Sequence, residues 1–242
     1  LAADEPGRRG MTEIRHIEGL YAMWDELRRR HPGLVIDNCA SGGRRIDLET
    51  TSRSFPLWRS DYTDAGAANE GFRCEIGAQC QTAGLSRWIP LHTASVWRIE
   101  PYSVRSSVST GLVFYPDIRP DDYPVDDAHR AIAEMARLRP FFLGDHHLLL
   151  PLTAAEHDWC AYQFHRPDLD AGIALFFRRH GSPFPTMECA LKQIDPTVQY
   201  EVTTASAWRR PVPQLVPGLE LIELSVTLSD QPSSQLLEYR KV

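Results

Sequence analysis

The carboxylate of Asp61 stands among residue types that suit proton transfer. It follows the apolar run 55–58, with Trp58 and Arg59 just before it. A neighbouring indole ring partly excludes water from a carboxyl group and so favours its protonated form, while a guanidinium orients it. The pattern therefore indicates a general acid or base. An Asp that only caps the next helix is an equally good interpretation of these residues alone.

A polar loop with two adjacent glycines is the second feature that suits ligand chemistry. Residues 37–47 read DNCASGGRRID. Because glycine has no Cβ, the backbone at Gly42 and Gly43 can approach a ligand closely and turn its N–H groups toward hydroxyls. The Asn, Ser, Arg and Asp side chains of the loop supply the donors and acceptors that a sugar uses. By itself, a Ser-Gly-Gly loop is more often a plain turn.

Both loops follow apolar segments in an order that is typical of α/β folds. Apolar side chains recur every three or four residues over 13–31, which predicts an amphipathic helix that ends at Pro32. A buried strand is predicted at 34–36 and a second clear helix at 125–139. Helix, breaker, apolar strand and polar loop follow one another in α/β barrels, whose active sites lie where the strands end.

The character of the sequence changes near residue 150. Short apolar runs are then separated by Pro, Gly and Asp, and they lie at 159–164, 173–177, 199–203 and 219–224. A succession of short strands without intervening helices predicts an antiparallel sheet or sandwich. We therefore predict two domains, a partial barrel at 1–150 and a β-sandwich at 151–242.

Composition and charge argue against several classes of partner. The net charge of −6 disfavours nucleic acid, because phosphate binding needs concentrated Lys and Arg. No apolar stretch approaches the ~20 residues of a membrane-spanning helix, so no membrane partner is expected. The five cysteines show no CxxC pair, and His146-His147 lacks the spacing of a helical metal motif. We expect reduced thiols, a cytoplasmic location and no metal site.

Two runs of the sequence are together specific enough to indicate a family. They are CASGGRRID at 39–47 and PLWRSD at 56–61, and similar runs follow at 84–90, 101–106 and 191–200. This combination resembles the melibiase group of glycoside hydrolases, the family 36 α-galactosidases. The resemblance implies the C-terminal part of a (β/α)8 TIM barrel followed by a small antiparallel β-sandwich. It also implies a retaining enzyme without a cofactor that acts on galactosyl oligosaccharides, and the full-length enzyme could form a homo-oligomer.

The resemblance assigns four site residues, position by position. Asp61 matches the general acid/base of the family, and Trp58 matches an aromatic wall of the galactose subsite. Cys39 and Gly42 match contacts to sugar hydroxyls. Arg59 receives no role from the resemblance.

The nucleophile of the family has no recognisable counterpart in this sequence. In the family it is an Asp within a Lys-x-Asp-x-Asn motif, whereas Asp4 lacks both the Lys and a preceding strand. Retaining hydrolysis needs two carboxylates, so we expect this chain to be a fragment with at most trace activity. The alternative is a non-catalytic carbohydrate-binding module. A nicotinamide-dependent oxidoreductase is disfavoured because no GxGxxG motif opens a helix.

Overall fold

The computed structural model describes residues 4–63 and 73–242 of the 242-residue chain. The chain forms two compact units, Leu1–Arg59 and Ser60–Val242. No helix within these two described ranges is long and apolar enough to cross a membrane.

The first unit is built on one long helix, α1 (Met11–Arg30). The carboxylate of Asp4 accepts hydrogen bonds from the backbone N–H groups of Gly10 (2.7 Å) and Thr12 (3.0 Å). It thereby satisfies N–H groups at the helix start, which have no partner inside the helix. The buried residue of α1 is Trp24. The helix predicted at 13–31 is confirmed.

A single parallel bridge joins the segments that lead into the two candidate loops. Asp37 pairs with Phe55. The N–H of Asn38 donates to the carbonyl of Phe55 (2.9 Å), and the N–H of Phe55 donates to the carbonyl of Ile36 (2.9 Å). The prediction of a strand at 34–36 is therefore wrong, since the segment forms only this bridge. A short helix, α2 (Leu48–Thr51), lies between the two segments in sequence.

The glycine loop packs directly on the backbone of the second segment. Gly43 has a φ of 93°, in the left-handed region that L side chains rarely adopt. A Cβ at this position would overlap the carbonyl oxygen of Arg59. The close packing of the two loops of the first unit therefore requires glycine at position 43.

Helices form the first part of the second unit. A 3₁₀ turn at Asp61–Thr63 is followed by α3 (Arg73–Leu85), α4 (Pro101–Ser107) and α5 (Val125–Leu138), with a further 3₁₀ turn at Arg139–Leu143. Two short strands, β1 (Ser95–Val96) and β2 (Val113–Phe114), pair in parallel. The helix predicted at 125–139 is confirmed.

A six-stranded antiparallel sheet forms the second part of this unit. In spatial order its strands are β3 (Asp145–Leu148), β4 (Cys160–Arg166), β5 (Ala171–Arg178), β10 (Ser233–Lys241), β7 (Gln199–Ala205) and β8 (Gln214–Pro217). A separate antiparallel pair consists of β6 (Thr186–Cys189) and β9 (Leu224–Thr227), and α6 (Gly218–Ile222) precedes β9. The apolar run at 219–224 thus forms mostly helix rather than the predicted strand.

The six-stranded sheet separates two apolar cores because alternate side chains of a strand point to opposite faces. On one face, Phe164 belongs to a buried cluster with Leu138 of α5. On the other face, Phe176 belongs to a cluster with Val226 of β9. All eight residues of β5 are buried, which is the pattern of a central strand covered on both sides.

The mixed helix and sheet content agrees with the predicted α/β class. The partial (β/α)8 barrel and the β-sandwich stay predictions. Antiparallel strands begin at residue 145, near the predicted division at 150, whereas the two compact units divide after residue 59. The domain boundaries 1–150 and 151–242 also stay predictions.

Buried arginines join the helices of the second unit to its sheet. Arg105 is fully buried, and its guanidinium donates to both carboxylate oxygens of Glu134 (2.8 and 2.9 Å). It also donates to the carbonyl of Ala205, at the end of β7 (2.8 Å). Arg179 follows β5 and donates to Oε1 of Gln79 on α3 (2.9 Å). Removal of either guanidinium would leave buried acceptors unpaired.

His146 of β3 is a half-buried residue among aromatic rings, and both of its ring nitrogens are buried. Its ring centroid lies 4.9 Å from that of Phe164 and 6.0 Å from that of Tyr162. Neither ring nitrogen has a hydrogen-bond partner within the described part of the chain. Burial, with smaller contributions from His147 and Arg87, lowers the pKa of His146 from 6.5 to about 4.

We expect His146 to make the folded state less stable in acid. Between pH 6.5 and 4 the unfolded chain binds a proton at this residue and the folded chain does not. The free energy of unfolding should therefore fall with pH in this window, by up to ~3 kcal/mol. In His146→Phe this part of the pH dependence should disappear from urea unfolding curves recorded at pH 7.5 and 4.5. His157→Phe, at a mostly exposed histidine, serves as the control. An unchanged pH dependence in His146→Phe would contradict the assignment.

Gly43→Ala should destabilise the first unit by about 2 kcal/mol or more, since it combines an unfavourable φ with overlap at the Arg59 carbonyl. Gly33→Ala is the matched control, because Gly33 also has a left-handed φ (99°) but no atom within 4 Å of an added Cβ. Amide hydrogen exchange of residues 37–47 measures the difference. Equal protection in the two variants would show that the overlap is relieved at little cost.

Candidate functional site

The four predicted site residues are distributed over both units. Cys39, Gly42 and Trp58 belong to the first unit, and Asp61 belongs to the second. The Cys39 thiol and the Asp61 side chain are exposed, whereas Gly42 and Trp58 are half-buried. Each of the four residues is at least partly accessible to solvent.

The glycine loop contains three consecutive residues with left-handed backbone. The φ angles are 46° at Ser41, 66° at Gly42 and 93° at Gly43. Their N–H groups donate no hydrogen bond within the described residues, while the N–H of Arg44 donates to the carbonyl of Ala40 (3.2 Å). The turn therefore leaves three adjacent backbone donors for water or for oxygen atoms of a ligand.

Two side chains that sequence reasoning missed hold the base of this loop. Nδ2 of Asn38 donates to the carbonyl of Arg45 (3.0 Å), and Oγ1 of Thr50 donates to the same carbonyl (2.5 Å). Asn38 and Thr50 are both buried. The carboxylate of Asp47 accepts from the N–H of Thr50 (2.9 Å) and caps α2. The Asp-x-x-Thr spacing of this cap was the only sequence signal that could have revealed the support.

Trp58 and Arg59 lie in the second segment, whose backbone packs against the glycine loop. Trp58 is half-buried. Arg59 is only 3% exposed, and its carbonyl oxygen packs against Gly43. The structure thus brings the Trp58–Arg59 backbone and the glycine loop into contact, as expected for loops that follow neighbouring strand ends. Arg59, for which the sequence indicated no role, is part of this packing.

Asp61 begins the 3₁₀ turn of the second unit. The N–H of the next residue, Tyr62, donates to Oγ of Ser60 (3.0 Å). The ring of Tyr62 lies against α3 at Gly77, where a Cβ would overlap it. The turn is therefore fixed to α3 immediately beside Asp61. The alternative role of Asp61, as the cap of a following helix, concerns residues 64–72, which lie outside the described ranges.

No group of three or more His, Cys, Asp or Glu residues in the described part of the chain is arranged to hold a metal ion. The five cysteines are free thiols. Cys74 and Cys160 are buried, and burial raises the pKa of Cys160 to about 12. The loops at 37–47 and 58–61 contain carboxylate, thiol, hydroxyl, guanidinium, indole and backbone N–H groups.

Sequence comparison finds one family and a set of named relatives. The profile of the Melibiase family matches residues 2–71. The probable alpha-galactosidase C of Aspergillus terreus is 28% identical over 205 residues, which are 79% of this chain and 26% of that protein. Alpha-galactosidase 1 of Pediococcus pentosaceus is 25% identical over 210 residues, or 81% of this chain and 27% of that protein. An alpha-galactosidase of Escherichia coli is 47% identical, but only over 45 residues.

Structural comparison finds the same group of enzymes. The GH36 alpha-galactosidase AgaA of Geobacillus stearothermophilus, in complex with raffinose, matches 99% of this chain with a TM-score of 0.74 and 20% identity. AgaB of the same organism matches 99% with a TM-score of 0.72 and 22% identity. In both cases the match covers 33% of the other chain.

The chain spans about a quarter of the length of the curated relatives it matches and a third of the solved structures. Family profile, related sequences and fold agree with the resemblance seen in the loops at 39–47 and 56–61. This chain is similar in sequence to the melibiase-type α-galactosidases, and its fold is similar to that of the GH36 enzymes.

Proposed function

We propose that this chain is the acid/base-bearing part of a retaining glycoside hydrolase that releases terminal α-linked galactose from oligosaccharides. The observation that supports this most directly is the left-handed turn at Ser41–Gly42–Gly43, with three N–H groups unused within the described residues. Such a turn offers hydrogen-bond donors to several sugar hydroxyls at once. The raffinose bound to the similar AgaA structure is a galactosyl oligosaccharide of the class that we propose.

In this proposal, Asp61 acts twice. As an acid it protonates the glycosidic oxygen while a second carboxylate attacks the anomeric carbon and forms a glycosyl-enzyme intermediate. As a base it then removes a proton from the water that hydrolyses the intermediate. The exposure of Asp61, at the start of a turn fixed to α3, leaves its carboxylate accessible to a leaving group.

We place the nucleophilic carboxylate outside this chain, because the Lys-x-Asp-x-Asn motif of the family has no counterpart in its sequence. Retaining enzymes hold their two carboxyl groups ≈ 5–5.5 Å apart, so acid and nucleophile have to be assembled in one site before turnover is possible. Catalysis is therefore proposed for the protein that contains this chain together with the nucleophile.

Cys39, Gly42 and Trp58 are proposed to bind the galactose ring. The indole of the half-buried Trp58 is proposed as an apolar wall for the C–H face of the sugar. The exposed thiol of Cys39 is a weak donor. The N–H of Gly42 can approach a hydroxyl oxygen because no Cβ stands beside it.

The replacement Asp61→Ala tests the catalytic role in the protein that carries the nucleophile. A general acid contributes most when the departing oxygen is a poor leaving group, so hydrolysis of melibiose should fall by about 10²–10⁴-fold. Hydrolysis of a nitrophenyl α-galactoside should fall far less, and added azide should restore turnover with formation of α-galactosyl azide. Steady-state kinetics and product analysis measure these effects.

Asp158→Ala, at a partly exposed carboxylate between β3 and β4, is the control and should behave as wild type on both substrates. Equal losses on both substrates in Asp61→Ala, without rescue by azide, would show that Asp61 is structural. Binding of galactose without any hydrolysis, in a chain that does contain the second carboxylate, would favour the carbohydrate-binding module instead.

The replacement Gly42→Asn tests the sugar-binding loop. Gly42 has a φ of 66°, which Asn tolerates far better than a β-branched residue does. The fold should therefore survive, while the added side chain obstructs the N–H donors. We expect the inhibition constant of galactose to rise about tenfold, equal to ~1.4 kcal/mol of lost binding.

Gly33→Asn is the matched control for Gly42→Asn, at a left-handed glycine of the same unit with open space around it. It should leave galactose inhibition unchanged. If Gly42→Asn retained normal inhibition and a normal melting temperature, the loop would be a turn without a ligand role.

A further inference from the structure

A cavity of about 520 Å³ lies over the sheet of the second unit, beside the end of α5. Its floor is formed by β5, β7 and β10, and its walls by the 3₁₀ turn at Arg139–Leu143 and by the segment before β8. This volume is within the range of small-molecule sites, and none of the described lining residues belongs to the candidate site. The charged lining residues are Arg137, Glu201, Arg210, Glu238 and Arg240.

A row of ion pairs leads from the core of the second unit to this cavity. Nε of the fully buried Arg105 donates to Oε1 of Glu134 (2.8 Å). Nη2 of Arg137 lies 4.0 Å from Oε2 of Glu134, and Nε of Arg137 donates to Oε2 of Glu238 (3.0 Å). Nε of Arg210 lies 3.4 Å from Oε1 of Glu238. Positive and negative side chains thus alternate from Arg105 to Arg210.

This row has three guanidinium groups but only two carboxylates, so one positive charge is not balanced within it. Arg105 is covered completely and donates in addition to backbone carbonyls, whereas the Arg210 side chain is 53% exposed. The unbalanced charge therefore lies at the cavity. The other two charged lining residues, Arg240 and Glu201, lie opposite each other on β10 and β7 and cancel.

The cavity combines free N–H donors with an apolar wall. Arg210 forms no hydrogen bond within the described residues, and Nη1 of Arg137 donates none there. The planar fork of a guanidinium matches the two oxygens of a carboxylate. The half-buried Phe141 and Leu169, which is 46% exposed, also line the cavity. An inorganic anion would leave these apolar side chains in water, whereas the body of an organic anion would cover them.

We propose that this cavity binds a small organic monocarboxylate. Its carboxylate accepts hydrogen bonds from Arg210 and from Nη1 of Arg137, and its apolar body packs against Phe141 and Leu169. A single negative charge on the ligand balances the single excess charge of the row, whereas a dianion would bring surplus negative charge close to Glu238. The inference is independent of the proposed hydrolase function, because it uses none of the residues to which that function assigns a role.

Four probes that differ in charge and in apolar body test this inference on the 242-residue chain. Phenylacetate has both features and should bind in isothermal titration calorimetry. Acetate lacks the apolar body and 2-phenylethanol lacks the charge, so each should bind about tenfold more weakly. Phosphate should also bind more weakly, and raising NaCl from about 50 to 300 mM should weaken the binding of phenylacetate. No binding of phenylacetate, equal binding of 2-phenylethanol, or tighter binding of phosphate would overturn the proposal.

Three variants locate the binding within the cavity. Arg210→Gln removes the excess charge at an exposed position, so the fold should survive and the affinity for phenylacetate should fall about tenfold. Arg209→Gln is the matched control, because Arg209 is the adjacent exposed arginine and does not line the cavity. Glu201→Gln removes an exposed carboxylate from the cavity and should raise the affinity about threefold. An affinity that is unchanged in Arg210→Gln, or that falls equally in Arg209→Gln, would show that the cavity is not a carboxylate site.

Discussion

The hydrogen bonds of the buried Arg179 guanidinium hold three elements of the second unit together. It has no exposed surface and no carboxylate partner within the described residues. Its N–H groups donate instead to Oε1 of Gln79 (2.9 Å) and to the carbonyls of Thr153 and Ala155 (both 2.8 Å). A buried charge is tolerated only when such polar contacts compensate for lost hydration, so α3, the segment before β4 and the end of β5 are constrained to meet at one point.

Further hydrogen bonds extend this constraint to neighbouring elements. Nε2 of Gln79 donates to the hydroxyls of Tyr102 (3.1 Å) and Ser106 (2.9 Å), which fixes α4 to α3. Gln79 has no exposed surface, so both ends of its amide are used inside the protein. A cavity of about 450 Å³, lined by residues that include Tyr62, Cys80 and Ala154, lies between the same α3 and the same segment before β4.

Sequence periodicity was sufficient to predict α1 and α5, and short apolar runs were sufficient to locate β4, β5 and β7. The strand β10, which lies between β5 and β7, was not predicted. Sequence patterns failed where side-chain hydrogen bonds or prolines decide the local structure. Ser109 lies before β2, and its Oγ donates to the carbonyl of His92 (2.6 Å). The alternating run at 219–224 follows Pro217 and forms α6, with Leu221 turned into the core (1% exposed).

Sequence patterns were also insufficient to predict how the candidate site is packed. Residue types and family resemblance indicated Cys39, Gly42, Trp58 and Asp61. The spacing of residues does not distinguish a glycine that faces a ligand from one that packs against protein. The contact between Gly43 and the Arg59 carbonyl is visible only in the three-dimensional structure. The support given by Asn38 was missed for the same reason, since its hydrogen bond to the carbonyl of Arg45 depends on the tertiary path of the loop.

The edges of the six-stranded sheet have a consequence for how the protein behaves at high concentration. An open edge offers unpaired N–H and C=O groups to a strand from another molecule, which is a route to aggregation. The edge strand β8 ends at Pro217, and Pro211 and Pro213 stand just before it, so one position of the strand and two of the segment that leads into it have no N–H to donate. The other edge, β3, is only four residues long. Both borders thus resist growth of the sheet from one molecule into the next.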